Sequence, residues 1–184
     1  MQFSETRLPG VYVIELEKIR DDRGYFARCW CKEEFAAEGL KVGMVQMNAG
    51  LSYRRGTLRG MHFQLPPYGE VKLIRCDRGA IYDVIIDLRP DSPTYCQWFA
   101  AELSEDNGSM IYAPEGCAHG YQTLVDNSQM SYMTTQVYQR DYARGVRFDD
   151  PAFGIRWPLE ATVISLNDRN WPDFVAAETE RLRR

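Results

Sequence analysis

The sequence predicts an all-β chain, folded as one sandwich or barrel of short strands. Three observations predict it. Short runs rich in Val, Ile, Tyr, Phe and Thr recur from end to end. Clusters of Gly, Pro, Asn and Asp punctuate them at regular intervals. The 184 residues suffice for one domain with a sizeable core, and no linker, internal repeat or low-complexity segment divides them.

The elements follow in order. Residues 11–15 open a strand of β-branched and aromatic residues after Pro9-Gly10. Residues 32–39 read as a short helix closed by Gly39. Strand candidates then fall at 42–48, 57–64, 71–76, 80–87, 97–103, 109–113, 120–124 and 131–135. Turns separate them at Asp77-Arg78-Gly79, Pro90-Asp91-Ser92-Pro93, Asp106-Asn107-Gly108, Pro114-Glu115-Gly116 and Asp126-Asn127. Many short strands with such turns indicate a sandwich or barrel. The last dozen residues, rich in Ala, Glu and Arg, read as a helix or a frayed end.

Composition narrows the function classes. Four Trp, eleven Tyr and eight Phe in a chain that is 45% hydrophobic fit a globular core rather than disorder. The net charge of −4 argues against a nucleic-acid partner, while leaving room for a local basic site that holds a phosphate. No apolar run is long enough to cross a bilayer, so no membrane role is expected. The first residues lack the basic stretch and apolar core of a signal peptide. The five cysteines, Cys29, Cys31, Cys76, Cys96 and Cys117, are odd in number and scattered. They fit small apolar residues in a reduced, cytoplasmic protein better than a disulfide framework.

The run Thr57-Leu58-Arg59-Gly60-Met61-His62-Phe63-Gln64 carries the first hint of chemistry. On a strand, Gly60, His62 and Gln64 share one face, and Arg59, Met61 and Phe63 the other. A polar inward face is unusual in a barrel unless the barrel holds a ligand. The chain has only two histidines, His62 and His119, and a lone histidine is by itself as consistent with a satisfied core residue as with a base.

Pro114-Glu115-Gly116-Cys117-Ala118-His119 resembles the second conserved segment of cupins, small β-barrel jelly rolls. Many cupins bind metal through a His-x-His in the first segment, but here that segment reads His62-Phe63-Gln64 and lacks the second histidine. A metal set of His62, His119 and Glu70, suited to non-haem iron, stands as an alternative.

A wider set of motifs occurs in order: Asp22-Arg23-Gly24-Tyr25-Phe26, Gln46-Met47-Asn48, Leu58 to Gln64, Lys72-Leu73-Ile74-Arg75, Asp87-Leu88-Arg89, Ser92-Pro93-Thr94, Pro114 to Gly120, and Asp149-Asp150-Pro151. Together they resemble the dTDP-4-dehydrorhamnose 3,5-epimerase family from about residue 3 to Phe174. The resemblance implies a cupin-type jelly-roll β-barrel with a few short helices, acting as a homodimer without metal or cofactor. It implies a nucleotide-diphosphate sugar as substrate, carrying a 4-keto-6-deoxyhexose. Hydrogens beside a ketone are weakly acidic because the charge left behind spreads onto the ketone oxygen. Such chemistry needs a base on one face, a cation near that oxygen and an acid on the other face.

By this resemblance His62 is the base and Asp168 the carboxylate that orients its ring and stabilises the imidazolium. Lys72 stabilises the enolate oxygen, and Tyr132 returns the proton from the opposite side. Base catalysis alone is typically worth roughly 10²–10⁴-fold, so Lys72 must share the load. The remaining matches are substrate binders. Arg23 and Arg59 would hold the diphosphate, and His119 would add a donor. Gln46 and Asn48 would contact nucleotide or sugar, with Tyr138 and Phe26 against the base. Against these stand plainer readings: Lys72 and Arg75 as solvated barrel-edge charges, Tyr132 as ordinary core, and Asp149-Asp150-Pro151 as a turn.

Three positions depart from the family pattern. Arg28 and Ala143 stand where the family commonly has Glu, and Asn167 where it often has Lys. All three belong to substrate binding, so the expected role of Arg28 keeps its place but not its charge. The main alternatives are an epimerase acting at C3 alone or on another nucleotide sugar, a metal-dependent cupin oxygenase or isomerase, and a non-catalytic sugar-binding cupin.

Overall fold

A computed structural model describes residues 1–176. Its strands are β1 (Gln2–Glu5), β2 (Tyr12–Glu15), β3 (Ile19–Asp21), β4 (Gly24–Phe26), β5 (Gln46–Ser52), β6 (Thr57–Gln64), β7 (Lys72–Arg78), β8 (Ala80–Asp87), β9 (Trp98–Ser104), β10 (Met110–Ala113), β11 (Cys117–Thr123), β12 (Ser128–Thr134), β13 (Ala143–Gly145) and β14 (Val163–Ile164). Two short helices accompany them, α1 (Lys32–Ala37) and α2 (Leu166–Arg169).

Two sheets face each other. One runs β1-β2-β10-β7-β12-β5, the other β13-β6-β11-β8-β9, with β14 added in parallel along β6. Neighbours such as β2 and β10, or β6 and β11, are far apart in sequence, the winding of a cupin-type jelly roll. Strand alternation fills the space between the sheets. Ile74 and Cys76 of β7, Ile111 of β10, Ile81 and Ile85 of β8 and Leu103 of β9 form this inner core. The outward residues are covered too. Phe35 of α1 packs on Leu73, Met110 and Tyr112 outside the first sheet, and Val146 and Phe153 cover Met61, Val84 and Ile86 outside the second.

The predicted all-β class holds, and two strands, 57–64 and 80–87, have the expected bounds. Gly39, at φ +73°, follows the helix as expected. The strand placed at 42–48 starts only at Gln46, because Met44 N–H turns back to the Val42 carbonyl and bends the chain there. Sequence periodicity missed β1, β3, β4, β13, β14 and α2, all of four residues or fewer. Val11 and Val13 are not free to pair with another chain. Val11 is fully buried, and β2 is paired on both edges. Most of the predicted C-terminal helix lies outside the described residues.

Candidate active site

One end of the space between the sheets is not filled by apolar side chains. It forms a cavity of about 990 Å³ lined from both sheets. The parity that builds the core also builds this site. On β7, Lys72 lies on the same face as Ile74 and Cys76; on β12, Tyr132 lies on the face of Met130; on β11, His119 lies with Cys117 and Tyr121.

The strand carrying His62 breaks its own parity. Opposite β11, His62 pairs with His119 but Arg59 with Tyr121, so β6 holds one extra residue between these pairs. That bulge rotates the face, and Arg59 opens to the cavity together with His62 and Gln64. The expected grouping of Arg59 with Met61 and Phe63 is therefore corrected, while Met61 and Phe63 do pack outward. Gly60 makes the bulge possible. Its φ is +115°, and a Cβ there would lie 2.5 Å from the Gly120 Cα and 2.8 Å from the His119 carbonyl oxygen.

The bulge also creates the place for Asp168. Along the outer edge of β6, β14 pairs with Thr57 and Leu58, while β13 pairs with His62 to Gln64. Gly60 lies between the two pairings, and its N–H donates to Asp168 Oδ2 at 3.3 Å. Because β14 runs parallel to β6, the chain leaving it heads toward His62. Ser165 then caps α2, its Oγ accepting from the Asp168 N–H at 3.1 Å. The result is a His62 Nε2 to Asp168 Oδ1 hydrogen bond of 2.6 Å. Asp168 is 8% exposed at its side chain and His62 50%, so the carboxylate is sheltered and the imidazole open to the cavity. Burial pushes the Asp168 carboxyl up, but hydrogen bonds from His62, Gly60 and Ser165 outweigh it and hold the group below the usual carboxylate range.

The opposite wall comes from the first sheet. Lys72 is buried, so the solvated-edge reading fails for it. Its ammonium pairs with Glu70 at 2.9 Å and donates to the His62 carbonyl oxygen at 3.1 Å. Gln64 donates to the other Glu70 oxygen at 3.3 Å. Tyr132 sits opposite Asn48 on β5, and burial, then the charge of Glu70, pushes its hydroxyl pKa up. The phenol therefore keeps its proton through the neutral range. Gln46 donates to Asn48 at 3.1 Å and accepts from the Tyr138 N–H at 3.2 Å, which sets Tyr138 at the cavity wall. Arg59 is held by the Ser52 hydroxyl and the Leu51 carbonyl, each at 3.2 Å, with no carboxylate partner among the described residues.

Nine of the twelve expected site residues thus meet at one cavity: His62, Lys72, Tyr132, Asp168, Gln46, Asn48, Arg59, His119 and Tyr138. Three do not. Arg23 and Phe26 lie on the β3–β4 hairpin, a separate two-stranded sheet, where Arg23 pairs with Asp21 and Phe26 is 73% exposed. Arg28 follows that hairpin and pairs with Glu34 of α1. Of the departures from the family pattern, Ala143 and Asn167 line the cavity. The expected turn at Asp149-Asp150-Pro151 is one, with Asp150 accepting from the Phe174 N–H at 2.7 Å.

The alternative metal set is not assembled. His62 and His119 each direct Nε2 to a separate carboxylate, and Glu70 is taken by Lys72. Among the described residues no group of three or more His, Cys, Asp and Glu is placed to hold a metal.

Sequence reasoning missed the cavity residues Tyr121, Arg140, Arg144 and Trp171, and it missed Asp83 as the buried partner of His119. For Asp83 a signal was there: a single carboxylate inside the apolar run Ala80 to Ile86. Arg140 and Arg144 gave none, because they stand on a loop and a three-residue strand.

Comparison with known proteins agrees with this geometry. Residues 5–176 match the sequence model of the family described as dTDP-4-dehydrorhamnose 3,5-epimerase. A relative of that name from Sinorhizobium fredii is 43% identical over 95% of this chain and 90% of its own length. One from Methanothermobacter thermautotrophicus is 44% identical over 92% of each. A dTDP-4-dehydrorhamnose 3-epimerase from Streptomyces niveus is 33% identical over 92% of this chain and 82% of its own length. The crystal structure of the Bacillus anthracis 3,5-epimerase with TDP and PPi bound superposes with a TM-score of 0.91 at 38% identity, covering 94% of this chain and 99% of that one. With a fold and relatives that coincide along nearly its whole length, the chain belongs to the dTDP-4-dehydrorhamnose 3,5-epimerase family.

Proposed function

We propose that this protein is an isomerase that inverts C3 and C5 of a 4-keto-6-deoxyhexose carried on a nucleoside diphosphate. The substrate that fits best is dTDP-4-dehydro-6-deoxy-D-glucose, giving dTDP-4-dehydro-L-rhamnose for deoxysugar and polysaccharide biosynthesis. The observation that carries this reading is the 2.6 Å His62–Asp168 pair on one sheet, with Tyr132 and Lys72 on the other sheet across the same cavity.

The proposed steps draw on that geometry. Asp168 occupies His62 Nε2, so Nδ1 is the nitrogen left to take the proton from carbon. The electron pair of the broken C–H bond moves onto the ketone oxygen as an enolate. Lys72, already held in a sheltered site, supplies the fixed positive charge for that oxygen. Tyr132, protonated at neutral pH, gives its proton to the same carbon from the opposite face, inverting it. The imidazolium and phenolate then return to their starting states by exchange with water. The same four groups serve C3 and C5 in turn, as the substrate's two acidic positions flank one ketone. Arg59, with no acidic partner among the described residues, would pair with the diphosphate.

A homodimer completes the reading. The hairpin carrying Arg23 and Phe26 stands away from its own chain's cavity and exposes Ile19, Tyr25 and Phe26. On β5, an edge strand, Met47 and Leu51 also face outward uncovered. A second copy would cover this apolar surface and allow each hairpin to reach its partner's cavity, where Arg23 would join Arg59 on the diphosphate. No helix among the described residues is long and apolar enough to cross a membrane, and all five cysteines are free, which supports a cytoplasmic location. No residue set in the cavity calls for a cofactor, and none is proposed.

The test is proton exchange in deuterated water on dTDP-, CDP- and GDP-linked 4-keto sugars side by side. Label at both C3 and C5 of the dTDP sugar is expected. Label at C3 alone would favour the second reading, a 3-epimerase, which the Streptomyces niveus relative makes specific. Exchange on no nucleotide sugar would remove the epimerase reading altogether.

A further inference from the structure

The cavity contains a second imidazole–carboxylate pair that the chemistry above does not use. His119 of β11 lies directly across from His62 of β6 in the strand register. Its Nε2 meets Asp83 Oδ2 at 2.7 Å. Asp83 comes from β8 and points inward among Ile81 and Ile85, with no exposed surface. Its second oxygen, Oδ1, has no hydrogen-bond partner.

That arrangement is costly as architecture. A carboxylate in a barrel interior loses its hydration, and an apolar side chain of similar size would fill the space more cheaply. Burial raises the affinity of Asp83 for a proton, while His119 and then Lys72 oppose this. A polar pair kept in a core against this cost, and touching a substrate cavity, points to a role in the site. The groups facing His119 are known from every strand packed against it. Asp83 comes from β8, His62 from β6, Tyr132 from β12 with ring centroids 6.5 Å apart, and Lys72 from β7 at the same cavity. On its own strand, Tyr121 stacks with it at 6.3 Å.

We propose that Asp83 is a positioning residue that acts through His119, fixing the proton on Nε2 so that Nδ1 is presented to the sugar end of the substrate. The carboxylate accepts from Nε2–H, so the ring holds one tautomer and one orientation. His119 Nδ1 then accepts from a substrate hydroxyl, and it is the same nitrogen that His62 offers on the neighbouring strand. The proposal rests on the epimerase reading, and its test separates the two failures: absence of exchange in the wild type sinks that reading, whereas the comparisons below concern Asp83 alone.

Asp83→Asn keeps the shape but allows the amide to donate to Nε2, which favours the proton on Nδ1. The expected result is a folded protein with kcat/KM for C3 and C5 exchange reduced by ~10–100-fold, the range typical when the hydrogen-bonding partner of a metal-bound histidine is removed. Its melting temperature should be unchanged or raised, since a buried charge has gone. A purely structural Asp83 predicts the reverse: a lower melting temperature with wild-type kcat and KM per folded molecule, which overturns the proposal. Should the variant not fold, the wild type decides. With only two histidines in the chain, ¹⁵N spectra of the imidazole rings, assigned with His62→Asn, report His119 directly. A proton on Nε2 supports the proposal, and a neutral ring protonated on Nδ1 overturns it.

Discussion

In the proposed mechanism, His62 would work as a base because of what occupies its other nitrogen. Asp168 is held below the ordinary carboxylate range, so it stays ionised at neutral pH and would stabilise the imidazolium that the proposed proton abstraction creates. Asp168→Asn keeps the size and removes that charge. Exchange at C3 and C5 should fall by ~10²–10⁴-fold while the nucleotide still binds, measurable by exchange rates and by titration with the nucleoside diphosphate. Tyr132→Phe probes the other face. Its proton donor is gone, but His62 can still remove a proton and return a deuteron. Label should therefore enter with retained configuration, and inversion should be lost; inversion at the wild-type rate would remove Tyr132 from the acid role. His62 and Lys72 were legible because they sit in ordered motifs that resemble a known family, and Tyr132 and Asp168 through the same resemblance. The pairing of Asp83 with His119 was not legible, since the two are 36 residues apart and only the strand register brings them together.

At the scale of elements, one bulge decides where the site residues point. A strict two-residue alternation along β6 places Arg59 opposite to His62, and the extra residue at Gly60 reverses that. A single sequence shows the glycine but not the partner strand, so the face of Arg59 was not legible. Gly60→Ala would force a Cβ against the backbone of β11 at positive φ. A loss of about 3 kcal/mol or more of stability is expected, with exchange activity falling alongside, read by chemical denaturation. A second device is the latch that ends β8. Asp87, fully buried, accepts from Arg89, Ser92 and Thr94. Burial pushes its carboxyl up, but these bonds dominate and bring it down to about 2. A carboxylate with a lowered folded-state pKa stabilises fully above its unfolded value near 3.8, and that contribution is lost as the pH falls toward 2. The contribution is roughly 2 kcal/mol. Asp87→Asn should therefore melt lower than wild type at pH 6, with the difference shrinking as the pH drops to 2. A difference that is constant with pH would contradict the assignment.

For the whole molecule, two sheets divide the work: one carries His62 and, beside it, Asp168, and the other carries Lys72 and Tyr132, so the cavity is assembled by the closing of the fold. The all-β class and most strand positions followed from composition, turns and alternation. The short pieces β3, β4, β13 and β14 did not, because two to three residues carry no period; yet β13 and β14 fix Asp168, and β3–β4 carries Arg23. That hairpin ties the proposed dimer to binding. Sedimentation should give twice the mass of the chain, and Arg23→Ala should raise KM with little change in kcat; a monomer with full activity would contradict the shared site. The central claim is that His62 removes a proton from carbon beside a ketone. The most direct measurement is deuterium uptake at C3 and C5 of the dTDP-linked 4-keto sugar by wild type and by His62→Asn, with dTDP affinity measured on both. The account predicts uptake at both carbons in the wild type, uptake slowed by ~10²–10⁴-fold in the variant, and dTDP affinity within a few-fold of wild type. A His62→Asn protein that binds dTDP and takes up deuterium at the wild-type rate would contradict it.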